Sequence, residues 1–265
     1  HNDTFKVVDH AIIKPSEIKF GIVSKKSGYA SLEYLKSAVS FLKKGIIDCL
    51  VTAPVNKQAI HLSEAFFTGH TEFLARCFHA KIFAMMFIAR DMRVSVVTRH
   101  IALARVAASL TQEMIAKTIE ITCATLREDF KMPCPRMAVL GLNPHASDGG
   151  IMGSEESRII APAIRAAAKK IKAAGRLWGP LSPDTVFHRV LAKEFDAVIC
   201  MYHDQALIPF KLLHFFDGVN VTAGLPFVRT SPDHGTAFEI AGKDKADFRS
   251  MLAAIKLAHT LAKNR

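Results

Sequence analysis

The chain has 265 residues, half of them hydrophobic, and a formal net charge of +11. That is enough chain to bury one large α/β unit or two smaller lobes. No apolar run reaches the roughly 20 residues that span a bilayer, and the opening HNDTFKVVDH lacks the charged-then-apolar order of a secretion signal. A cytoplasmic protein with no membrane partner is therefore expected, and the absence of an opening Met reads as a fragment or a processed form.

The positive charge first invites a nucleic-acid reading. Its lysines are spread, however, at Lys25–Lys26, Lys43–Lys44, Lys169–Lys170 and the carboxyl-terminal tail, with no interleaved aromatics. Solvated helix faces explain them best, a field for small phosphorylated anions comes second, and nucleic acid a distant third. The five cysteines (Cys49, Cys77, Cys123, Cys134 and Cys200) are scattered and form no C-x-x-C pair, as expected of reduced, structural thiols. Cys49 and Cys200 fall inside predicted strands.

In chain order, SLEYLKSAVSFLKK (31–44) reads as a helix capped by Ser31, with lysines at its negative end. Gly45 stops it, and IIDCLVTAPV (46–55) reads as a buried strand. KIFAMMFIA (81–89) and MRVSVVTRH (92–100) form a predicted antiparallel pair about Arg90–Asp91. Residues 112–129 pattern as an amphipathic helix. RMAVLGLN (136–143) is the next strand, followed by a helix from about 154 to 174 and another opened by Ser182-Pro183-Asp184. The strands DAVICMY (196–202) and GVNVTAG (218–224) and a helix over 246–263 complete the pattern. Uninterrupted apolar strands between helices predict a largely parallel sheet covered on both faces, and with no low-complexity linker any domain division is expected to be a cleft.

Polar residues collect at strand ends. VSVVTRH ends at His100, RMAVLGLNPH at His145 and DAVICMYH at His203, while LVTAPVNK ends at Asn56 and Lys57. In open parallel sheets ligands bind beyond the carboxyl ends of strands. One such histidine is ordinarily a cap or loop residue; three at equivalent ends form a candidate facial metal site for Zn²⁺ or a related divalent ion. In MYHDQALIPFK (201–211), His203 is followed closely by Asp204 and Lys211, and Pro209 is expected to hold any helix there to one or two turns.

Phosphate-type features accompany them. In FTGHTEF (67–73), Gly69 and His70 lead into a helix that Thr71 could cap, either an anion cradle or an ordinary capped helix. Glycines 149, 150 and 153 precede another helix, as a ligand loop or a flexible connection. Arg229 offers a fork for phosphate or carboxylate, or a surface ion pair.

Together VTAPVNK (51–57), FTGHTEF (67–73), GLNPHASDGGIMGSEE (141–156), GPLSPDTVF (179–187), MYHDQALIPFK (201–211) and GVNVTAGLPFVRTSPDHGTAFEIAGK (218–243) resemble the 4-hydroxythreonine-4-phosphate dehydrogenases of pyridoxal phosphate biosynthesis. The matches follow the family's order over nearly the whole chain. The resemblance implies an isopropylmalate-dehydrogenase-like α/β fold of two α/β/α lobes about a central cleft. Residues 1–66 with 216–265 would form the cofactor-side lobe, and residues 67–215 the lobe for substrate, metal and dimerisation. It implies His100, His145 and His203 as divalent-metal ligands, zinc first and magnesium or cobalt next. The substrate would be held by His70, Thr71, Asp184, Asp204, Lys211, Asn220 and Arg229. HGTAFEIAGK (234–243) is similar to a loop that holds the adenosine part of NAD, with His234, Gly235, Thr236 and Gly242 at NAD or NADP. A homodimer follows by the same resemblance, its site at the interface and His203 supplied across it.

Two departures stand out. The family's amino-terminal G-[DE]-P-x-G-I-G-P turn has no counterpart here, and APVNK replaces the common GPVHK or GPINK. The implied reaction is oxidation of 4-phosphooxy-L-threonine at C3, with Lys211 or Asp204 as base, to 2-amino-3-oxo-4-phosphooxybutanoate, which loses CO₂ to give 3-amino-2-oxopropyl phosphate. A paralogue acting on threonate or erythronate 4-phosphate, or on a dihydrodiol carboxylate, is the nearest alternative. A non-catalytic binder of phosphometabolites or nucleic acid is the alternative from another class.

Overall fold

The computed structural model describes residues 6–64 and 66–265. Its first elements are α1 (Lys25–Lys43), β1 (Cys49–Val51), α2 (Lys57–His61), α3 (His70–Cys77), β2 (Ala84–Ala89), β3 (Met92–Val96), α4 (Val106–Ser109), α5 (Gln112–Glu128) and β4 (Arg136–Leu140). They are followed by α6 (Ala161–Ile171), β5 (Arg176–Leu181), α7 (Pro183–Leu191), β6 (Ala197–Cys200), α8 (His203–His214), β7 (Val219–Ala223), β8 (Val228–Pro232) and α9 (Arg249–Asn264). Two compact units result. The smaller holds the described residues up to Ile47, with Pro54–Cys77 and His234–Ala246; the larger holds Asp48–Ala53, Phe78–Asp233 and Asp247–Arg265.

In the smaller unit, α1 starts at Lys25, with its cap seven residues before the expected Ser31. Ser24 is the cap, its hydroxyl accepting the Ser27 N–H, while Ser31 lies inside the helix and donates to the Ser27 carbonyl. The stretch KKSGYA carries no strong helix signal, and burial of Gly28, Ala30 and Leu32 decides its state. α2 is capped by Asn56, which accepts the Ala59 N–H. Thr71 is not the cap of α3: the helix begins at His70, and Thr71 is buried within its first turn.

The larger unit is built on an eight-stranded sheet in the order β1-β8-β7-β2-β3-β6-β4-β5. The expectation of a largely parallel sheet is corrected: β7 runs antiparallel to β8 and to β2, and β2 antiparallel to β3, so the sheet is mixed. The parallel part is the run β3, β6, β4, β5, with a separate β1–β8 pair. Apolar strands buried on both faces arise in either sense, so the pattern could not tell them apart. The β2–β3 hairpin about Arg90–Asp91 is as expected. β1 is much shorter than the predicted 46–55, and β5 and β8 had no strand signal, containing Gly-Pro and Pro respectively.

Side chains alternate through the sheet with the period of two that a pleat imposes. Met86, Ile88, Met137, Val139, Ala197 and Ile199 pack on one face against Ile115, Ile119 and Leu126 of α5 and Ala163 and Ala167 of α6. Met85, Phe87, Val94, Ala138, Leu140 and Val198 pack on the other against Val186 of α7 and Ala206, Leu207 and Phe210 of α8. Cys49 lies in β1 and Cys200, fully buried, in β6.

α8 corrects another expectation, running twelve residues with Pro209 inside it. Burial of Ala206, Leu207 and Phe210 on the sheet outweighs the one helical hydrogen bond that proline removes. The helix expected from 154 enters through a π turn over Glu156–Ile160 before α6. Ser182 stands at the cap of α7 as predicted, but its hydroxyl binds the Asp184 carboxylate, not the backbone.

Candidate active site

Register explains why the histidines meet. Val96 of β3 is level with Cys200 of β6, Ile199 with Val139 of β4, and Leu140 with Leu181 of β5. Four neighbouring parallel strands therefore end on one edge, where loops diverge and leave room for a ligand. The chain beyond them carries, in spatial order, His100, then His203 with Asp204, then His145, then Asp184. β5, invisible in the sequence pattern, brings Asp184 into this row.

Two adjoining pockets open there. The first is lined by Arg99, His100, Leu103, Tyr202, His203 and Asp204, and the second by Asn143, His145, Pro183, Asp184, Tyr202 and Gln205. Their volumes of about 230 and 270 Å³ sit just under the ~300 Å³ at which drug-sized ligands begin, a scale that suits a small metabolite. Tyr202 lines both. It went unmarked in the sequence, although its place between Met201 and His203 was the available signal.

The rings of His100 and His203 lie 6.2 Å apart, centroid to centroid. His203 Nδ1 is 2.6 Å from Asp204 Oδ1, which fixes that ring and leaves its Nε2 for a ligand. His145 Nδ1 is 3.7 Å from Asp184 Oδ2. The Ser182 hydroxyl, with a smaller push from His145, holds the Asp184 carboxyl below the usual carboxylate range. These donors suit a divalent metal by type, but no group of three or more metal-ligating side chains forms within the chain among the described residues. One chain offers a pair and a neighbour.

The other expected residues fall elsewhere. Asn220 is the second residue of β7 and is level with Phe87, hence with Val94 and Val198, well below the strand ends that carry the histidines. Lys211, two turns along α8, points its amine at Asp233, 3.0 Å from the carbonyl and 3.3 Å from the carboxylate. Lys211 and Asn220 are thus not brought to His100, His145 and His203 within one chain. Arg229 at the start of β8 is not a surface cation: it is 3 % exposed and donates to the hydroxyls of Thr222 and Thr52. His70 and Thr71 open α3 in the smaller unit, with His70 edge-on to Phe67.

His234, Gly235, Thr236 and Gly242 also lie in the smaller unit. His234 Nδ1 contacts the Gly235 carbonyl, Gly235 has open space about its α-carbon, and Gly242 takes φ 75° against the Phe20 ring. A short turn over Phe238–Ile240 connects them. Such a segment leaves the backbone at Gly235 open to a ligand.

Comparison with known proteins fits this geometry. Residues 1–258 match the family described as pyridoxal phosphate biosynthetic protein PdxA. A 4-hydroxythreonine-4-phosphate dehydrogenase of Desulfosudis oleivorans is 49 % identical over 243 residues, covering 92 % of this chain and 71 % of that protein. A D-threonate 4-phosphate dehydrogenase of Salmonella typhimurium is 42 % identical over 256 residues, covering 97 % and 77 %. The crystal structure of a 4-hydroxythreonine-4-phosphate dehydrogenase from Klebsiella pneumoniae superposes with a TM-score of 0.84 at 41 % identity, covering 94 % of this chain and 75 % of that one. The chain belongs to the PdxA family and is a dehydrogenase of that family.

Proposed function

We propose that the chain oxidises 4-phosphooxy-L-threonine at C3 with NAD or NADP and a divalent metal, zinc first. The product, 2-amino-3-oxo-4-phosphooxybutanoate, is a β-keto acid and loses CO₂ to give 3-amino-2-oxopropyl phosphate. The observation that carries this reading is the row of strand ends presenting His100, His203 with Asp204, His145 and Asp184 to two adjoining small pockets. A metal held by His100, His145 and the partner's His203 would supply Lewis-acid polarisation of the substrate hydroxyl, and a nicotinamide would supply a hydride acceptor. The chain's own groups do the rest. Asp204 orients His203, Lys211 or Asp204 takes the hydroxyl proton, and Asp184, Asn220, Arg229, His70 and Thr71 hold the phosphate-bearing substrate.

A homodimer belongs to the same proposal. One chain separates Lys211 and Asn220 from the histidine row, and its metal donors fall short of three. His203 of the partner subunit would complete the set. The outer face of α8 supports association, since Ile208, Leu212 and Phe215 are 68 %, 83 % and 66 % exposed. The assignment of cofactor handling to residues 1–66 with 216–265, and of substrate, metal and dimer contacts to residues 67–215, is part of the proposal, as is the isopropylmalate-dehydrogenase-like reading of the fold. No helix among the described residues is long and apolar enough to cross a membrane, and the dehydrogenase family replaces the nucleic-acid-binding reading.

The second reading, oxidation of a threonate 4-phosphate, is favoured by the similar identity to the Salmonella enzyme. Turnover on the 2-amino and 2-hydroxy acids, each followed by NAD(P)H absorbance, separates the two. Preference for the hydroxy acid would overturn the first. Verified removal of metal by chelation should abolish turnover, and full activity in metal-free protein would overturn the metal assignment.

A further inference from the structure

Buried polar side chains meet the backbone where β3, β6 and β4 end. The ladder between β4 and β6 stops at the pair Val139 and Ile199. Just beyond it, Gln205 in the first turn of α8 is 8 % exposed and bridges the two chains. Its Oε1 accepts the Met201 N–H at 2.7 Å, and its Nε2 donates to the Gly141 carbonyl at 2.8 Å. Gly141 is already bound on its other side, its N–H donating to the Leu181 carbonyl of β5. The Gln205 amide therefore stands where the next backbone rung would be, with the donor and acceptor a peptide would supply.

Neighbouring contacts extend the bridge in both directions. The Met201 carbonyl accepts from the N–H and the hydroxyl of Thr98, which joins the end of β3. On the β4 side, Glu156, 4 % exposed, accepts the N–H groups of Leu142 and Asn143 through Oε1 and the Asn143 amide through Oε2. A Cβ on Gly141 would lie 2.9 Å from Ala146 Cα and 3.1 Å from Glu156 Oε1, so the turn carrying His145 folds directly over this glycine.

We propose that Gln205 is a positioning residue, its amide replacing a rung of the sheet and fixing the strand end that carries His145 to this chain's site and the one that carries His203 towards its partner's. The proposal rests on the reading that these strand ends hold the reacting substrate. Gln205 itself transfers no proton or hydride. It acts through Met201 and Gly141, one residue from Tyr202 and four from His145.

The test uses the full chain with two variants: Gln205→Met, which removes both bonds, and Gln205→Glu, which keeps the acceptor and, when ionised, loses the donor to Gly141. Asp196→Asn serves as the control. Asp196 accepts from Arg136 at the opposite ends of the same two strands, so its loss weakens the pair away from the site. Measured well below the unfolding temperature, kcat of Gln205→Met should fall about 10–100-fold, as a misplacement near 1 Å does, with the KM for NAD(P) unchanged and Gln205→Glu between it and wild type. Hydrogen exchange in peptides covering 141–150 should quicken in both variants and not in the control. Unchanged exchange, or quickened exchange with wild-type kcat, would overturn the proposal; the latter would make Gln205 merely structural. Exchange needs no turnover, so a wild type inactive on both candidate acids would sink the reaction assignment while the bridge is still judged by the exchange result.

Discussion

The chain leaves β6 and β4 in two different ways. From β6 it turns at Met201 and Tyr202 and is helical from His203 onward, so His203 and Asp204 take their places by continuing directly into α8. From β4 it passes through His145, Ala146, Ser147, Asp148 and Gly149, all with φ between 44° and 73°. A left-handed residue other than glycine costs about 1 kcal/mol, so a run of four is held only by something outside it. Glu156, Gln205 and the bond from the Ser147 hydroxyl to the Gly153 carbonyl supply that hold. Both exits have buried polar support, since Gln205 and Thr98 hold Met201, but the histidine on the strained turn depends on it more than the one that continues into a helix.

The largest expected effect breaks the side of the contrast that continues from β6. With Lys211 as the proposed base, its replacement by Ala should lower kcat by about 10²–10⁴-fold, as followed by steady-state NAD(P)H formation; a smaller loss would assign the role to Asp204, the other candidate. Next, Glu156→Ala leaves the part-buried N–H groups of Leu142 and Asn143 without their carboxylate acceptor and should destabilise the protein by about 1–3 kcal/mol, measured by urea unfolding. The same group sets a pH dependence. Burial raises the Glu156 carboxyl, but hydrogen bonds from Asn143 and Leu142 outweigh it and hold the pKa below 4.5. Its stabilisation is thus fully present above pH 4.5 and lost as pH falls through the depressed value. Glu156→Gln should flatten that acid limb of the stability curve.

A smaller effect tests the β6 exit itself. Asp204→Asn weakens the carboxylate that fixes His203, and metal affinity should drop by about 10–100-fold, titrated with a chromophoric chelator. An unchanged affinity would place His203 outside the metal set. The smallest prediction sharpens the β4 side. Ala146→Gly, at φ 52°, should stabilise the protein by about 0.5–1 kcal/mol because glycine reaches that region freely, read as a rise in melting temperature.

The same contrast governs what was legible in the sequence. The histidines at 100, 145 and 203 stood out because each follows an apolar run, and the sheet does carry them to one edge. Strand direction was hidden, since a β-branched run buried on both faces looks alike in either sense. β5 and β8 were missed because their prolines spoil strand propensity, although both have partners that tolerate them. Nothing in the pattern marks Glu156, and Gln205 stands out only as an amide beside His203 and Asp204; the fold shows that each binds a backbone remote from its own helix. Arg229 was recognised as a cation, but its burial against Thr52 depends on a contact across 177 positions of chain, which no local pattern encodes. The helix of MYHDQALIPFK was underestimated because the proline rule was applied without the apolar face that anchors α8 to the sheet.

The margins of the sheet bear on how copies of this chain meet. At one side stands β1, three residues long, and at the other β5, which ends in Gly-Pro-Leu and so lacks an N–H at Pro180. Both are poor templates for adding a foreign strand, and such interrupted borders are a recognised guard against uncontrolled stacking. In the dimer proposed above, a second copy would thereby meet side chains on the exposed apolar face of α8 rather than extend the sheet.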